Sequence, residues 1–430
     1  MESTAALREK CWIKYDAENQ FPLENIPFGA YEVAEGVIHA CTRIGDSFID
    51  LHQMRDKFSA GLQGCWEGDL NKFMGLGQDA RREARKTIQD FFMDAANKDF
   101  ALQEAKDCEP KMVLPCFIRD YTDFYSSRNH AYNIGVMFRG VDNAFQPNYF
   151  HLPVGYHGRA SSIVKSGTDI TRPKGQTLLT PDAKLPTFNP SRLLDMEIEM
   201  GTFIGKGNKL GAPIHIEKAQ EHIFGHCLLN DWSSRDIQKW EYVPLGPFLA
   251  KNFGSTISCW IITTEALAPF KVDLPAQEPQ LLPYLKAKEI TAYDIDIQAH
   301  FKSDDSQGWH TFSKTNMKHL YYSAAQTVAH HAATGCNMSA GDLLGSGTIS
   351  APEREGFGSL VELSWAGKHN AIEIELEDKT KIERKFLKDG DELNFTGVCR
   401  GNGFVIGFGD CSGKILPAVP DSAFFDAPAE

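Results

Sequence analysis

Residues 195–201 alternate acidic and apolar side chains, and this alternation restricts what the surrounding chain can form. Successive side chains of a β-strand point to opposite faces, so the pattern predicts a strand with Asp195, Glu197 and Glu199 on one face. Neighbouring carboxylates on such a face lie about 7 Å apart and repel one another unless they face water or share a cation. Taken alone, the segment favours a half-buried strand with a solvated acidic face over a metal site.

The composition and charge of the chain exclude several classes of protein and of binding partner. The chain has 430 residues, 42% hydrophobic and 23% charged, as expected for a soluble protein with a substantial core. A formal net charge of −13 argues against nucleic acid and anionic membranes as main partners. No apolar run is long enough to span a membrane, and the N-terminus lacks the apolar core of a signal peptide. The ten cysteines contain no C-x-x-C pair, which predicts reduced thiols and a cytoplasmic location.

Two regions with different patterns follow one another along the chain. In the first, apolar residues recur at helical spacing and predict an α-helix over about residues 78–93. The second begins near Leu114 and contains short alternating segments, of which 294–301 and 371–377 are the clearest. A regular strand–helix–strand rhythm is missing, which disfavours a doubly wound fold. The pattern favours a mostly antiparallel, barrel- or roll-like domain of about 300 residues.

A polar stripe lies within residues 230–242. It consists of Asp231, Arg235, Gln238 and Tyr242. Their spacing of four, three and four residues predicts one face of an α-helix that ends before the following proline. Trp232, Trp240 and Val243 lie off this stripe on the same short segment. The stripe therefore either covers a surface helix with an Asp–Arg pair or lines a wet internal cavity.

Three residues elsewhere are candidates for chemistry. His130 follows an acid and a phenol closely, but an isolated histidine is more often structural unless a partner orients it. Glu362 is a candidate partner, because alternation over residues 359–365 predicts a strand that places it on a partly apolar face. Lys251 precedes a glycine turn with hydroxyl residues and is a weak candidate for binding an anion or oxyanion.

These segments together resemble the fumarylacetoacetase family. The matching stretches occur in the same order over nearly the whole chain, at residues 123–127, 151–159, 195–201, 230–238, 251–258 and 345–350. The resemblance implies a mostly β (α+β) fold with a small SH3-like N-terminal domain over residues 1–117. A β-roll catalytic domain of the fumarylacetoacetase type is expected over residues 118–430, and the protein is expected to be a homodimer.

The resemblance also implies a reaction. It is the metal-dependent hydrolysis of a carbon–carbon bond in the dicarboxylic β-diketone fumarylacetoacetate, giving fumarate and acetoacetate, the last step of tyrosine and phenylalanine catabolism. Two alternatives stay open: another oxo-acid hydrolase or decarboxylase on the same metal-binding fold, and a catalytically silent calcium-binding or interaction protein. Oxygen ligands suit Ca²⁺ or Mg²⁺ and disfavour Zn²⁺, so Ca²⁺, Mg²⁺ or both are the expected cofactors.

The resemblance assigns metal ligands by position. For the main cation they are Asp123, Glu197, Glu199 and Asp231. Asp195 is their neighbour in the same segment but is not a ligand. A second, smaller cation is expected near Asp231, Lys251, Gly254 and Ser255. Ser255 replaces a residue that is usually threonine in the family and keeps the hydroxyl group.

The resemblance assigns catalytic and substrate-binding groups in the same way. His130 corresponds to the general base and Glu362 to the residue that orients it. The groups expected to bind the oxyanion are Arg235, Gln238 and Lys251. The positions expected to contact substrate are Tyr125, Arg139, Tyr156, Arg235, Gln238, Tyr242 and Thr348.

Overall fold

Short β-strands make up most of the regular structure, as the alternating segments predict. This computed structural model describes residues 5–100, 102–104, 110–180, 182–306, 308–376, 379–401 and 403–425. The strands are β1 (Gly29–Ala34), β2 (Val37–Ile44), β3 (Ser47–Asp50), β4 (Gln103–Glu104), β5 (Tyr121–Phe124), β6 (Gly155–His157), β7 (Ile163–Lys165), β8 (Ile170–Thr171), β9 (Lys174–Thr177), β10 (Thr187–Pro190), β11 (Leu194–Asp195), β12 (Ile198–Ile204), β13 (Ile223–Asp231), β14 (Ser233–Ser234), β15 (Ser255–Ile257), β16 (Ile262–Thr263), β17 (Lys271–Asp273), β18 (Thr291–Tyr293), β19 (Asp296–Lys302), β20 (His310–Asn316), β21 (Leu343–Gly345), β22 (Ile372–Glu375), β23 (Lys381–Arg384), β24 (Glu392–Gly401) and β25 (Phe404–Leu416).

The α-helices of the described residues are mostly short. They are α1 (Ala5–Lys10), α2 (Asn71–Gly75), α3 (Gln78–Met93), α4 (Arg128–Arg139), α5 (Ile216–Ala219), α6 (Arg235–Glu241), α7 (Thr264–Leu267), α8 (Ala324–His331), α9 (Leu360–Leu363) and α10 (Ser422–Phe425). The helix predicted over residues 78–93 is confirmed as α3, and its apolar residues Ala84, Ile88 and Phe92 are buried. Within the described ranges, every helix is too short or too polar to cross a bilayer.

The N-terminal part of the chain forms a four-stranded antiparallel sheet in the order β1-β2-β3-β4. Its core is shared with the rest of the molecule, because Phe28 belongs to the same apolar cluster as Phe203 of β12. Burying a side chain of this size contributes about 1.5–3 kcal/mol. Arg81 of α3 adds a polar link, donating from Nε to the Oε2 atom of Glu265 at 2.6 Å. An SH3-like fold for this part stays a prediction.

An eight-stranded sheet occupies the centre of the larger part. Seven strands follow the order β6-β5-β21-β12-β13-β15-β7, and β16 pairs with β13. Most neighbours are antiparallel, while β21 with β5 and β15 with β7 are parallel. Every residue of β12 and β13 is buried. Buried acidic and polar residues need partners, so those on these two strands indicate a site.

A second sheet packs against the central one. Its five strands follow the order β20-β19-β24-β25-β8, and its apolar residues share a core cluster with Leu228 of β13. The two sheets approach closely at Gly397, where an added Cβ would lie 2.9 Å from the Cδ2 atom of Leu228. The result is a mixed α and β fold with mostly antiparallel pairing, rather than a doubly wound sheet.

The acidic segment is not a single strand, so the prediction of one strand over 195–201 is wrong. β11 ends at Asp195, and β12 begins only after Glu197, which forms an isolated bridge. The solvated acidic face is also wrong, because Asp195, Glu197 and Glu199 are all buried. Asp195 and Glu197 share one partner, the guanidinium of Arg235.

Two further local predictions are wrong for a common reason. Asp231 is the last residue of β13, where it pairs with Ser255, and α6 begins only at Arg235. Glu362 lies in the short helix α9 instead of a strand, and the hydroxyl of Ser359 caps that helix. In both places a distant contact outweighs the local periodicity: strand pairing with Ser255 at Asp231, and at α9 the carboxylate of Asp195, which accepts from the N–H of Leu360.

Candidate active site

Four carboxylates from neighbouring strands converge in the interior. Asp123, Glu197, Glu199 and Asp231 each contribute an oxygen atom, and these atoms lie within 4.8 Å of one another. Sheet order explains the convergence, because β5 and β12 flank β21 and β13 pairs with β12. All four residues are buried. The structure therefore brings together the residues predicted as ligands of the main cation.

The cluster is short of positive charge. Burial, reinforced by the charge of Asp231, raises the pKa of Asp123 to about 8. Burial beside Asp123 also raises the pKa of Glu199 well above its ordinary value. The Oδ1 atom of Asp123 and the Oε1 atom of Glu199 have no hydrogen-bond partner among the described residues. Buried carboxylates normally have hydrogen-bond partners or coordinate a metal, and an all-oxygen set fits a hard divalent cation.

Gly345 makes room for this cluster. An added Cβ at Gly345 would lie 2.7 Å from the Oδ1 atom of Asp123 and 3.0 Å from the Oε2 atom of Glu199. Any side chain there would fill the space between the carboxylates. Two residues on, the N–H of Gly347 donates to the Oε2 atom of Glu199 at 3.0 Å. Sequence reasoning did not assign Gly345 to the site, because its requirement is spatial.

Two buried cations lie against the cluster. Lys251 Nζ contacts the Oε2 atom of Glu197 and lies 2.7 Å from the Oδ2 atom of Asp231. Arg235 Nη2 lies 2.7 Å from the Oε1 atom of Glu197, and its Nη1 donates to the Oε1 atom of Gln238 at 3.1 Å. Burial alone would raise the pKa of Glu197, but the charges of Lys251 and Arg235 hold it below its usual range. Glu197 therefore stays charged without a metal.

A buried histidine–carboxylate pair lies near the same cations. The Nδ1 atom of His130 is 2.6 Å from the Oε2 atom of Glu362, and both residues are almost fully buried. Burial would raise the pKa of Glu362, but His130 and other hydrogen-bond donors hold it below its ordinary value. A carboxylate acceptor at Nδ1 favours the tautomer with a proton on that atom. The Nε2 atom of a neutral His130 is then free to accept a proton.

Three residues absent from the sequence-based assignment hold Glu362 in place. The Oε1 atom of Glu362 accepts from Asn133 Nδ2 at 2.9 Å, and its Oε2 atom accepts from Ser359 Oγ at 2.7 Å. Ser350 Oγ lies 2.9 Å from Oε1 and 3.0 Å from Oε2. Asn133 lies three residues after His130 on α4, so its position on the same helix face was the available signal.

Two further residues predicted to bind substrate or a second cation contact the cluster, and a third contacts His130. Tyr156 Oη donates to the Oδ2 atom of Asp231 at 3.1 Å, and Ser255 Oγ donates to its Oδ1 atom at 2.6 Å. The ring of Tyr125 packs edge-on against that of His130, with centroids 5.3 Å apart. Thr348 is buried in the loop that follows β21, and Gly254 directly precedes Ser255.

Two predicted substrate contacts do not reach the carboxylates in this structure. Arg139, at the end of α4, is exposed and donates from Nη2 to the carbonyl of Ala144 at 2.7 Å and from Nε to that of Asn143 at 3.0 Å. Tyr242 follows α6 and is 48% exposed. Their roles in substrate binding stay predictions.

Two family models match the chain. The model described as Fumarylacetoacetase N-terminal matches residues 24–116, and the model described as Fumarylacetoacetate (FAA) hydrolase C-terminal matches residues 120–415. The chain belongs to the fumarylacetoacetase family. Among family members, the fumarylacetoacetase of Dictyostelium discoideum is 48% identical over 425 residues, covering 95% of this chain and 98% of that protein. The fumarylacetoacetase of Homo sapiens is 47% identical over 414 residues, covering 94% and 97%.

Solved structures share the fold of this family member at low sequence identity. A fumarylacetoacetate hydrolase from psychrophilic Exiguobacterium antarcticum is 15% identical with a TM-score of 0.51, covering 91% of this chain and 99% of that one. A putative HpcE protein from Mycobacterium smegmatis is 16% identical with a TM-score of 0.51, covering 92% and 100%. At this identity the likeness concerns the fold alone.

Proposed function

We propose that this protein hydrolyses fumarylacetoacetate to fumarate and acetoacetate in a reaction that requires a divalent metal ion. The observation that carries the proposal is the four-carboxylate cluster close to the buried His130–Glu362 pair, with an unpartnered oxygen on Asp123 and another on Glu199 among the described residues. Identity of 44–48% to fumarylacetoacetases that align over nearly their whole length supports the same substrate. The reaction would serve as the last step of tyrosine and phenylalanine breakdown.

The proposed metal ligands are the four carboxylates of the cluster, of which Asp123 and Glu199 each have an oxygen without a hydrogen-bond partner among the described residues. Asp123, Glu197, Glu199 and Asp231 would hold Ca²⁺ or Mg²⁺, ions that prefer oxygen donors. When bound, such an ion supplies Lewis-acid polarisation of the diketone oxygens and neutralises developing negative charge.

A second, smaller cation is also part of the proposal. It would lie near Asp231, Lys251, Gly254 and Ser255. Both carboxylate oxygens of Asp231 already accept hydrogen bonds, one from the ammonium of Lys251 and one from the hydroxyl of Ser255. A cation there would have to displace or share these donors.

His130 is the proposed general base. With Nδ1 directed at Glu362, its Nε2 atom takes a proton from water, and the water oxygen bonds to the carbonyl carbon of the fumaryl group. The bond from that carbon to the acetoacetyl methylene carbon then breaks. The electron pair stays on the methylene carbon, which takes up the proton that His130 received from water, so the products are fumarate and acetoacetate.

Arg235, Gln238 and Lys251 are the proposed donors to the oxyanion that forms when water adds. The two cations are held by Glu197, so they are in place before substrate binds. Preorganised donors in a buried site stabilise developing charge more than the same groups in water. Arg235 also donates to Gln238, which couples the orientation of the amide to that of the guanidinium.

Recognition of the two substrate carboxylates is proposed for the remaining positions. Tyr156 donates to Asp231 of the cluster, Tyr125 contacts His130 and Thr348 is buried in the loop after β21, whereas Arg139 and Tyr242 would approach a bound dicarboxylate from the exposed side. Arg139 suits this role because its planar guanidinium forms bidentate pairs with carboxylates. Binding would require Arg139 to exchange its two carbonyl acceptors for the substrate.

The proposal extends to the architecture and assembly of the protein. We propose an SH3-like N-terminal domain over residues 1–117, a β-roll catalytic domain over 118–430, a cytoplasmic location and a homodimer. Support for self-association comes from exposed apolar side chains after α6, where Val243 is 66% and Leu245 95% exposed. Contiguous exposed apolar surface marks interfaces in folded proteins.

The test is turnover of purified protein with fumarylacetoacetate and a simpler oxo acid, each with Mg²⁺, with Ca²⁺ and with chelator. We expect metal-dependent loss of diketone absorbance and kcat/KM at least about 10²-fold higher for the dicarboxylic diketone. Faster turnover of the simple oxo acid would favour another oxo-acid hydrolase or decarboxylase. Calorimetric metal binding without turnover of either compound would favour a catalytically silent protein.

A further inference from the structure

Asp195 is the one carboxylate of the acidic segment that the proposed mechanism does not use. It is fully buried, and its two oxygens accept four hydrogen bonds. Oδ1 accepts from the N–H groups of Met196 at 2.8 Å and Leu360 at 2.7 Å. Oδ2 accepts from the N–H of Val361 at 3.0 Å and from Arg235 Nε at 2.7 Å. Both oxygens are therefore committed to protein donors, which leaves none for a cation.

On one side, Asp195 fixes the helix that carries Glu362. Leu360 and Val361 are the first two residues of α9, and N–H groups in the first turn of a helix have no partner within that helix. α9 has only four residues, so its orientation depends on such contacts. Glu362 is the third residue of α9 and makes the 2.6 Å contact with His130.

On the other side, Asp195 fixes Arg235. The guanidinium uses Nε for Asp195, Nη2 for Glu197 and Nη1 for Gln238, so Asp195 supplies one of three directions that define its plane. Without that acceptor the guanidinium is free to rotate about its remaining partners. Charged hydrogen bonds of this kind are short and directional.

We propose that Asp195 is a positioning residue that holds Arg235 and the Glu362-bearing helix α9 in one fixed relationship. The proposal rests on the proposed function, in which these two elements serve the oxyanion and the general base. Misplacement of reacting groups by about 1 Å typically lowers the rate about 10²-fold. A single carboxylate that touches both elements sets their relative position.

The first experiment is a kinetic cycle with Asp195→Asn and Arg235→Lys. Asparagine keeps the size of the side chain but places an N–H₂ group against a donor. We expect Asp195→Asn to lower kcat about 10²-fold or more, with KM and metal affinity changed less than about threefold. In the Asp195→Asn background, the additional loss from Arg235→Lys should be at least about tenfold smaller than in the wild type. Losses that simply multiply would overturn the proposal.

The matched control is Asp391→Asn. Asp391 is also buried and accepts from Arg384 Nε at 2.8 Å and from the N–H of Lys388 at 2.7 Å, but it is not part of the proposed site. The Asp391→Asn protein should be less stable than the wild type, with kcat within about threefold of the wild-type value. In this background Arg235→Lys should lower kcat by the same factor as in the wild type. A loss of kcat equal to that of Asp195→Asn would mean that loss of a buried ion pair alone explains the effect, and would overturn the proposal.

A second experiment covers the case in which Asp195→Asn does not fold, and it needs no turnover. The Nδ1 proton of His130, in a 2.6 Å contact with Glu362, is expected to give a downfield proton resonance. Arg235→Lys should shift or broaden this resonance through Asp195, although Arg235 has no hydrogen bond to His130 or Glu362 among the described contacts. An unchanged resonance would overturn the proposal. If the wild type shows the resonance but no turnover, the proposed function fails while this test still decides the role of Asp195.

Discussion

His130 and Glu362 are 232 residues apart in the chain, yet the Nδ1 and Oε2 atoms of their side chains lie 2.6 Å apart in the interior. α4 supplies the histidine and α9 supplies the carboxylate. Glu362 also accepts from amide and hydroxyl donors on both of its oxygens, so it is held in one orientation. This arrangement fixes which nitrogen of His130 is available to take a proton.

Replacing Glu362 with glutamine should remove most of the activity while leaving metal binding intact. The amide keeps the shape but no longer stabilises a protonated imidazole, so we expect kcat to fall about 10²–10⁴-fold. Stopped-flow kinetics measure the loss of kcat, and calorimetry on the same sample measures the metal affinity. Asn133→Ala, which removes one donor to Glu362, should give a smaller loss. A Glu362→Gln variant with kcat within threefold of the wild type would remove the pair from the mechanism.

Metal should stabilise the protein more at high pH than at low pH. Burial raises the pKa of Asp123 from 3.8 to about 8, so the folded protein keeps this proton over a range in which the unfolded chain has lost it. Between about pH 4 and 8 the contribution of this group to the free energy of unfolding of the metal-free protein therefore falls as pH rises. A bound cation replaces the proton on Asp123, so this group no longer lowers the free energy of unfolding as pH rises. The metal-induced rise in Tm should therefore grow from about pH 6 to 8.5.

Thermal melts with and without MgCl₂ across this range measure the effect. Calorimetry in buffers of different ionisation enthalpy should also detect protons released on metal binding. Equal Tm increments at all pH values, with no proton release, would contradict the assignment of Asp123 as a protonated ligand in the metal-free protein.

Glu199→Gln and Glu197→Gln should affect stability in opposite ways. Glu199 is buried with an unpartnered oxygen, so a neutral amide should leave the metal-free stability unchanged or higher while metal affinity falls at least about tenfold. Glu197 is the acceptor for Lys251 and Arg235, and its neutralisation leaves these cations less compensated, which should lower stability by about 3–5 kcal/mol. Urea unfolding of both variants without metal makes the comparison. Equal destabilisation would mean that Glu197 does not depend on its two cations in the way that sets it apart from Glu199.

Gln238→Ala should lower kcat with little effect on folding. The residue is half-buried on α6, and alanine favours helix. Loss of one oxyanion donor typically reduces kcat about 10²–10³-fold. The adjacent Lys239 is exposed, so Lys239→Ala is the matched control and should retain full activity. Similar kcat values for the two variants would exclude Gln238 from oxyanion binding.

Arg139→Ala separates substrate binding from structural support. If Arg139 binds a terminal carboxylate of the substrate, KM should rise about 10-fold or more with kcat largely retained. If its role is limited to the carbonyls of Asn143 and Ala144, the variant should lose thermal stability with KM unchanged. Arg82→Ala on the exposed side of α3 serves as the control. Steady-state kinetics and a melting curve decide between the two results.

Local patterns and the family resemblance predicted much of this site. The acidic alternation drew attention to residues 195–199, and the family resemblance assigned Asp123, Glu197, Glu199 and Asp231 as ligands and His130 and Glu362 as a pair. Helix α3 was predicted correctly because its apolar face follows the helical period without competing contacts.

The remainder depends on contacts between distant segments. Asp231 was expected on a helix, but pairing with Ser255 makes it the end of a strand. Glu362 was expected on a strand, whereas Ser359 and Asp195 together cap a short helix around it. Gly345 was not recognised because the space it leaves between two carboxylates exists only in the folded chain. Local periodicity contains none of these relationships.

The central claim is that this chain adds water across a carbon–carbon bond of fumarylacetoacetate at the carboxylate cluster, with His130 as base. The direct measurement is ¹⁸O incorporation into product during turnover in H₂¹⁸O with saturating Mg²⁺ or Ca²⁺. The account predicts one ¹⁸O atom in each fumarate formed by the wild type, and rates at least about 10²-fold lower for both His130→Ala and the chelated wild type. Fumarate without label, or labelled fumarate formed at equal rates by wild type and His130→Ala, would contradict it.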